Sequence, residues 1–333
     1  MMPAILEVQD LTKTFKIPDG LLPWKVDSLH AVDHVSFSID RGETVGVAGE
    51  SGCGKSTLAW CLTGLIEATS GSVQIGGEEM LQASRQKLKR LRKKVQMVFQ
   101  DPYDSLNPRR TVGELVGDPL RVQTDLASAE IKRTVSALLA DVGLPQGNIN
   151  KFPHELSGGQ RQRVGIARAL ILKPELIVAD EAVASLDVSI QAQVLNLLAD
   201  LKDERELSYL FITHDLSVLR HMADKVIIMY LGEIAEIGDN ASIYTTPAHP
   251  YTKALLAAAT DAASDTPISI NDEIKGEIPS PIDRPSGCPF APRCPIAQKV
   301  CTVEKPLLRP LVNGSSTACH FPAVPFASNE HTA

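Results

Sequence analysis

The sequence predicts an α/β fold, a mostly parallel sheet covered on both faces. Three observations predict it. Short β-branched runs alternate with helical patterns along the 333 residues. Two of these runs, LIVAD (Leu176 to Asp180) and YLFITH (Tyr209 to His214), are apolar and end in polar residues, as buried parallel strands do. A glycine-rich turn, GESGCGKST (Gly49 to Thr57), sits between a strand-like run and a helix-like one.

The elements follow in order. VSFSI (Val35 to Ile39) and ETVGVAG (Glu43 to Gly49) read as strands, and STLAWCLTGL (Ser56 to Leu65) reads as a helix. RQKLKRLRKK (Arg85 to Lys94) holds seven basic residues in ten. It reads as a solvated helix face with Leu88 and Leu91 turned inward; contact with lipid headgroups or nucleic acid is the competing reading. VQMVFQ is strand-like and closes on Gln100. Between about 101 and 169 the pattern turns helical. In AEIKRTVSALLADVGL the residues Ile131, Val135, Leu138, Leu139 and Val142 share one helix face, and Gly143 suits the helix end. KVIIMYLGEIAEIG (Lys225 to Gly238) reads as a late hairpin. After about Ala259 the composition shifts to Pro, Asp and Ser. The expected organisation is a domain over 1–260 with a helical insert at about 101–169, then a small irregular extension over 261–333 that carries four of the six cysteines.

A net charge of -7 argues against a dedicated nucleic-acid binder. The sequence has no run of about 18 apolar residues. The first residues, MMPAILEVQDLTK, lack a basic start followed by an apolar stretch. A cytosolic setting is expected, where cysteines are reduced thiols or metal ligands.

Gly49, Gly54, Lys55 and Ser56 fit G-x-x-x-x-G-K-[ST]. Over Gly49, Glu50, Ser51, Gly52, Cys53, Gly54, Lys55, Ser56 and Thr57 the backbone N–H groups can curl around phosphate oxygens, and a helix N-terminus adds a positive dipole. Lys55 is expected to reach the β- and γ-phosphates and Ser56 to ligate Mg²⁺. LIVADE adds two carboxylates at a strand end: Asp180 for the Mg²⁺ shell and Glu181 as general base toward the attacking water. His214 ends the neighbouring strand, so it arrives at the same sheet edge and is expected to sense the γ-phosphate. Gln100 is expected to reach Mg²⁺ and the water through its amide. Cys53 and Cys61 read as packing residues.

A second glycine pair opens another helix. Ser157, Gly158, Gly159 and Gln160 precede QRVGIARAL. Serine is a preferred N-cap, and glycines bare the backbone N–H groups, which makes a second anion site. The helical insert separates it from the sheet edge, so the expected ligand is the γ-phosphate of a nucleotide held by another subunit, in a head-to-tail dimer.

These motifs together, with the SLD of Ser185 to Asp187, resemble the ATPase subunit of ATP-binding cassette (ABC) proteins over roughly Ile5 to Gly238. The resemblance implies a P-loop NTPase (RecA-like) core with an antiparallel β subdomain. It implies Phe15 as the aromatic on adenine and Asp187 as a cross-dimer contact. Ala182 stands where the family usually has Pro, and Phe15 where Tyr is commoner. Neither removes a reacting group.

FQDPYDSLNPRRTVGE (Phe99 to Glu114), TPAHPYTKALL (Thr246 to Leu256) and PSPIDRPSGCPFAPRCP (Pro279 to Pro295) resemble the ATPase subunits of oligopeptide and dipeptide importers, whose relatives also move nickel, glutathione or oligosaccharides. The resemblance implies ATP and Mg²⁺, a second ATPase subunit, identical or merely homologous, and two transmembrane permease subunits. It also implies an extracytoplasmic substrate-binding protein and a peripheral place at the cytoplasmic face of the inner membrane, with no nucleic acid. A groove near SLNPR is expected to take a short helix from the permease. The rival readings are an importer-like ATPase of a phosphonate-cleaving complex, a DNA-repair or ribosome-associated ABC ATPase, and a non-catalytic binding module.

Cys288, Cys294, Cys301 and Cys319 have five, six and seventeen residues between successive members, which is not the paired spacing of a zinc ribbon. Four thiolates suit a [4Fe–4S] cluster or structural zinc. The importer resemblance favours the cluster; free buried thiols and zinc are the alternatives.

Overall fold

The computed structural model describes residues 4–18, 26–100, 105–184, 186–261 and 276–327. Among them, strands β1 (Leu6–Pro18), β2 (Val26–Ile39), β4 (Ser70–Ile75) and β5 (Glu78–Glu79) form an antiparallel sheet in the order β2-β1-β4-β5. A second sheet holds β3 (Thr44–Ala48), β6 (Val95–Val98), β7 (Leu176–Asp180), β8 (Ser208–Ile212), β9 (Lys225–Tyr230), β10 (Glu233–Asp239), β11 (Arg309–Pro310) and β12 (Ser316–Thr317). Its order is β11-β12-β10-β9-β3-β8-β7-β6, and the run from β9 to β6 is parallel.

Side-chain alternation explains why these apolar runs become strands buried on both faces. In β7, Leu176 and Val178 join the core under the antiparallel sheet, while Ile177 and Ala179 join the core under the helices. In β8, Leu210 and Ile212 take the first side, Tyr209 and Phe211 the second. The expected hairpin is β9–β10, antiparallel with an irregularity between Ile234 and Glu236.

The insert is helical as expected, with helices Val112–Gln123 and Ser128–Asp141. Thr111 and Glu114 cap the first reciprocally. Ile131, Val135, Leu138, Leu139 and Val142 are buried, and Gly143 at φ 70 lets the chain turn away. Asp101 to Asp104 of the DPYD stretch lie outside the described residues.

The basic run forms helix Arg85–Lys94, with Leu91 buried and Leu88 packed beside the core. Its cations are largely engaged within the chain. Arg90 pairs with Glu78, and Lys94 lies 3.7 Å from both Glu78 and Glu175. Lys89 and Lys93 donate to the carbonyls of Val122 and Gln123, at the negative end of helix Val112–Gln123.

The cysteine-rich extension packs onto the cassette more closely than an irregular appendage would. β12 pairs with β10, so the extension widens the cassette's own sheet. Cys288, Phe290, Ala291 and Cys301 enter the same apolar cluster as Tyr230 and Tyr251. Among the described residues no helix is long and apolar enough to cross a membrane.

Candidate active site: a nucleotide site at the strand ends

The glycine loop follows β3 and opens helix Lys55–Leu62. Gly54 takes φ 102, and a Cβ there would lie 1.9 Å from the Ala31 carbonyl oxygen. A Cβ on Gly49 would lie 2.2 Å from the Met229 carbonyl oxygen. Only glycine fits either position. Gly54 caps the helix without any side-chain hydrogen bond, so no side chain competes for the first-turn N–H groups. The Lys55 Nζ donates to the carbonyls of Gly49 at 2.8 Å and Glu50 at 3.0 Å, inside the loop it is expected to serve. Cys53 and Cys61 are buried, in keeping with packing roles, and burial pushes the Cys61 thiol up to about 11.

The carboxylates stand where the parallel strands end. The Ser56 hydroxyl donates to Asp180 Oδ1 at 3.2 Å, so two hard oxygen ligands share one spot. Asp180 is buried, and desolvation raises its carboxyl above the ordinary range. A carboxylate held out of water beside a hydroxyl is a setting that a cation relieves, and the donors suit Mg²⁺. Glu181 comes next at φ 46, a left-handed backbone rare for a residue with a side chain. Its N–H donates to the Ile212 carbonyl at 2.8 Å, which holds the turn. Gln100 Nε2 donates to Glu181 Oε2 at 2.8 Å, and His214 Nδ1 lies 3.3 Å from Glu181 Oε1. Five residues expected at one edge thus meet: Ser56 with Asp180, and Gln100 and His214 on Glu181.

The second glycine pair lies elsewhere. Ser157 caps helix Gly158–Leu170; its hydroxyl accepts from Gln160 N, and Gln160 Oε1 accepts from Ser157 N. Gly159 is buried, and a Cβ there would lie 2.5 Å from Ile190 Cγ2. Ile190 belongs to helix Val188–Arg205, whose cap is Asp187, with Oδ1 accepting from Ile190 N at 2.9 Å. Gly159 therefore joins the two helix starts, and exposed Ser157 and Asp187 come as one unit. Ser185 lies outside the described residues. Phe15 is half-buried on β1 opposite Leu29, with Lys13 Nζ 4.8 Å from its ring centre.

A cavity of about 990 Å³ runs from Ser56, Gln100 and Asp180 toward Trp60, Phe99 and Arg168. Ser157 and its glycines do not line it.

Known proteins resemble this chain in sequence and fold. Residues 32–184 match the family described as ABC transporter, and residues 235–301 match the oligopeptide/dipeptide transporter C-terminal region. The oligopeptide transport ATP-binding protein AppF of Bacillus subtilis is 46% identical over 321 residues, 95% of this chain and 97% of that protein. OppF of Escherichia coli K12 is 48% identical over 312 residues, 92% of each. The chain belongs to the ABC transporter family, in its oligopeptide/dipeptide branch. The ATP-binding cassette MJ0796, solved as a dimer bound to ADP and Pi, superposes with a TM-score of 0.63 at 30% identity, covering 71% of this chain and 98% of that one. This ABC ATPase therefore hydrolyses ATP in support of transport.

The HPYT stretch of this ABC ATPase, expected only as a mark of the importer resemblance, is tied to the phosphate loop. The buried Glu236 carboxylate accepts the N–H groups of Ala248 at 2.7 Å and His249 at 2.9 Å. The Tyr251 hydroxyl accepts the Glu50 N–H at 2.9 Å, so the stretch reaches the phosphate loop. Pro250 opening helix Pro250–Asp261 was the available signal for a fixed turn.

Cys288, Cys294, Cys301 and Cys319 line one small cavity with His249 and Phe290. Burial pushes the Cys288 thiol up to about 12 and Cys319 up to about 11, with neighbouring thiols adding to both. The donor chemistry fits a metal group. However, among the described residues no group of three or more His, Cys, Asp or Glu is placed to hold a metal ion. The side chains as they stand share a cavity without forming a ligand set.

Proposed function

We propose that the chain is one of a pair of ATPase subunits that power import of dipeptides, oligopeptides or a related solute through two permease subunits, from the cytoplasmic face of the membrane. One observation carries this reading: similarity to a peptide-transport ATPase runs through cassette and extension alike, over 95% of the chain.

The residues act as follows. The phosphate loop from Gly49 to Thr57 binds the β- and γ-phosphates through its N–H groups and Lys55. Ser56 and Asp180, with Gln100 lining the same cavity, would hold Mg²⁺, which would supply charge to offset the phosphates. Glu181 draws the proton from the attacking water, with Gln100 and His214 fixing its two oxygens. Ser157, Gly158, Gly159, Gln160 and Asp187 face the nucleotide of the second subunit, and Phe15 stacks on adenine. ATP then closes the dimer because its γ-phosphate bridges the two chains, and hydrolysis removes that difference between closed and open states. The cavity beyond Gln100 takes a short helix of the permease. The four thiols around one cavity are of the donor type a [4Fe–4S] cluster takes; they would have to converge to hold one, and it would then supply a rigid cross-link among the loops of the extension.

Affinity purification of the tagged chain from membranes of its own host tests the reading. Recovery of two integral membrane subunits, with ATPase stimulated by a peptide-loaded binding protein, is expected. Recovery of ribosomes, DNA or a soluble phosphonate-cleaving assembly instead would reject it.

A further inference from the structure

The phosphate loop contains a residue that its own chemistry does not explain. Glu50 places a carboxylate next to Gly49, in a loop built to bind a polyanion. Left free, that charge would repel the triphosphate.

The extension answers it. Arg293, in the tight turn Ala291–Arg293, sets its guanidinium two-pronged on the Glu50 carboxylate. Nη1 donates to Oε2 at 2.7 Å and Nη2 to Oε1 at 3.0 Å. The Arg293 side chain is 7% exposed and that of Glu50 23%, so water screens the pair weakly. Arg293 Nη1 also donates to the Tyr230 hydroxyl at 3.3 Å, and Tyr230, Tyr251 and Phe290 pack ring against ring around it. Glu50 is thus held at both ends: the carboxylate by Arg293 and the N–H by Tyr251.

The far side of the loop is anchored by the same extension, one step removed. Arg284 and Lys305 pair with Asp33 and Glu233 on the cassette. Gly232, beside Glu233, donates its N–H to the Cys53 carbonyl at 2.8 Å. A binding loop fixed before its ligand arrives loses less freedom on binding and binds more tightly.

We propose that Arg293 is a positioning residue for ATP: through Glu50 it neutralises and shapes the phosphate loop, which makes the C-terminal extension part of the nucleotide site. This rests on the reading that the loop from Gly49 to Thr57 holds the ATP phosphates.

The test compares the full chain with Arg293→Met, Arg293→Lys, Glu50→Gln and the double Glu50→Gln/Arg293→Met. ATP KM, kcat, the dissociation constant of a fluorescent ATP analogue and thermal unfolding are measured for each. Arg293→Met is expected to raise KM and the dissociation constant about tenfold, with kcat nearly unchanged. Arg293→Lys, which keeps the charge without the two-pronged geometry, should fall between. The double variant should bind ATP better than Arg293→Met alone, because the uncompensated carboxylate is gone. An unchanged KM in Arg293→Met, whatever the melting temperature does, overturns the proposal, as do additive effects in the double variant. If Arg293→Met does not fold, wild-type ATP affinity in Arg293→Lys together with wild-type affinity in Glu50→Gln overturns it. Lys55→Ala checks the underlying reading separately: normal ATP binding there would remove the loop's role whatever Arg293 does.

Discussion

The Gln100 side-chain amide donates to one oxygen of Glu181 at 2.8 Å, which ties the segment after β6 to the carboxylate that follows β7. His214 lies 3.3 Å from the other oxygen. With both oxygens engaged and the backbone at φ 46, Glu181 has little rotational freedom. Such strain at a strand end belongs to a site that needs one geometry.

Glu181→Gln keeps the size and one acceptor oxygen for the Gln100 amide but removes the base. Steady-state ATP hydrolysis is expected to fall about 100- to 10,000-fold, with ATP binding retained and an ATP-bound dimer accumulating. Phosphate release and gel filtration measure the two effects. An unaltered hydrolysis rate would refute the assignment.

Gly158 and Gly159 should respond differently to alanine. At Gly159 the new methyl would lie 2.5 Å from Ile190 Cγ2, a clash that pushes the two helix starts apart. Overpacking of this kind costs about 1–3 kcal/mol. Thermal unfolding of Gly159→Ala should drop by several degrees, and hydrolysis should fall with it. At Gly158 the nearest atom would be Leu186 Cδ2 at 3.7 Å, an ordinary contact. Gly158→Ala should melt like the wild type while losing ATPase cooperativity, since the added methyl occupies the half-exposed face expected to meet the second subunit's nucleotide. Equal melting of both variants would contradict the packing argument.

What the sequence made legible was local. Apolar runs ending in Asp180 and His214 announced buried parallel strands, because alternating faces of one strand leave no room for polar residues until its end. The loop glycines at 49 and 54 announced a phosphate cradle, because backbone crowding there admits no side chain. What stayed hidden was nonlocal. Arg293 meets Glu50 across 243 positions, and no periodicity marks such a pair. The docking of β12 on β10 was equally hidden, since a two-residue strand carries no alternation to read. The expected metal set was read from thiol type, spacing and the importer resemblance, and none of these fixes thiol geometry.

His249 should make stability pH-dependent. It is 2% exposed, and burial pulls its pKa from 6.5 down to about 4, with the Ala318 backbone offsetting part of the shift. Its Nδ1 accepts the Tyr251 N–H at 3.0 Å, which requires a neutral ring. A depressed folded-state pKa contributes stability that is present above the unfolded value and lost as pH falls toward the folded one. The window is therefore from about 6.5 to about 4. Between neutral pH and about pH 5 the loss is about 2 kcal/mol. Buried Glu236, whose carboxyl is raised by desolvation, shifts the slope the other way as it takes up a proton. The comparison that isolates His249 is the difference in urea-unfolding free energy between wild type and His249→Asn at the two pH values. Parallel curves would show that the ring is not kept neutral by the fold.

The extension's thiols make opposite predictions for its two states. Burial holds Cys288 up to about 12 and Cys319 up to about 11, so without metal both are protonated at neutral pH. Protonated thiols are poor nucleophiles and poor ligands. A metal-free chain should therefore be colourless, and in its folded form it should react slowly with iodoacetamide at these two positions. A cluster-bearing chain, purified without oxygen, should be brown with about four iron atoms per chain, and Cys288→Ser should lower that iron content. Cluster assembly needs the thiols to deprotonate and converge, so iron uptake should quicken as pH rises. Colourless, metal-free protein that supports normal transport would discard the cluster and leave four packed thiols beside His249.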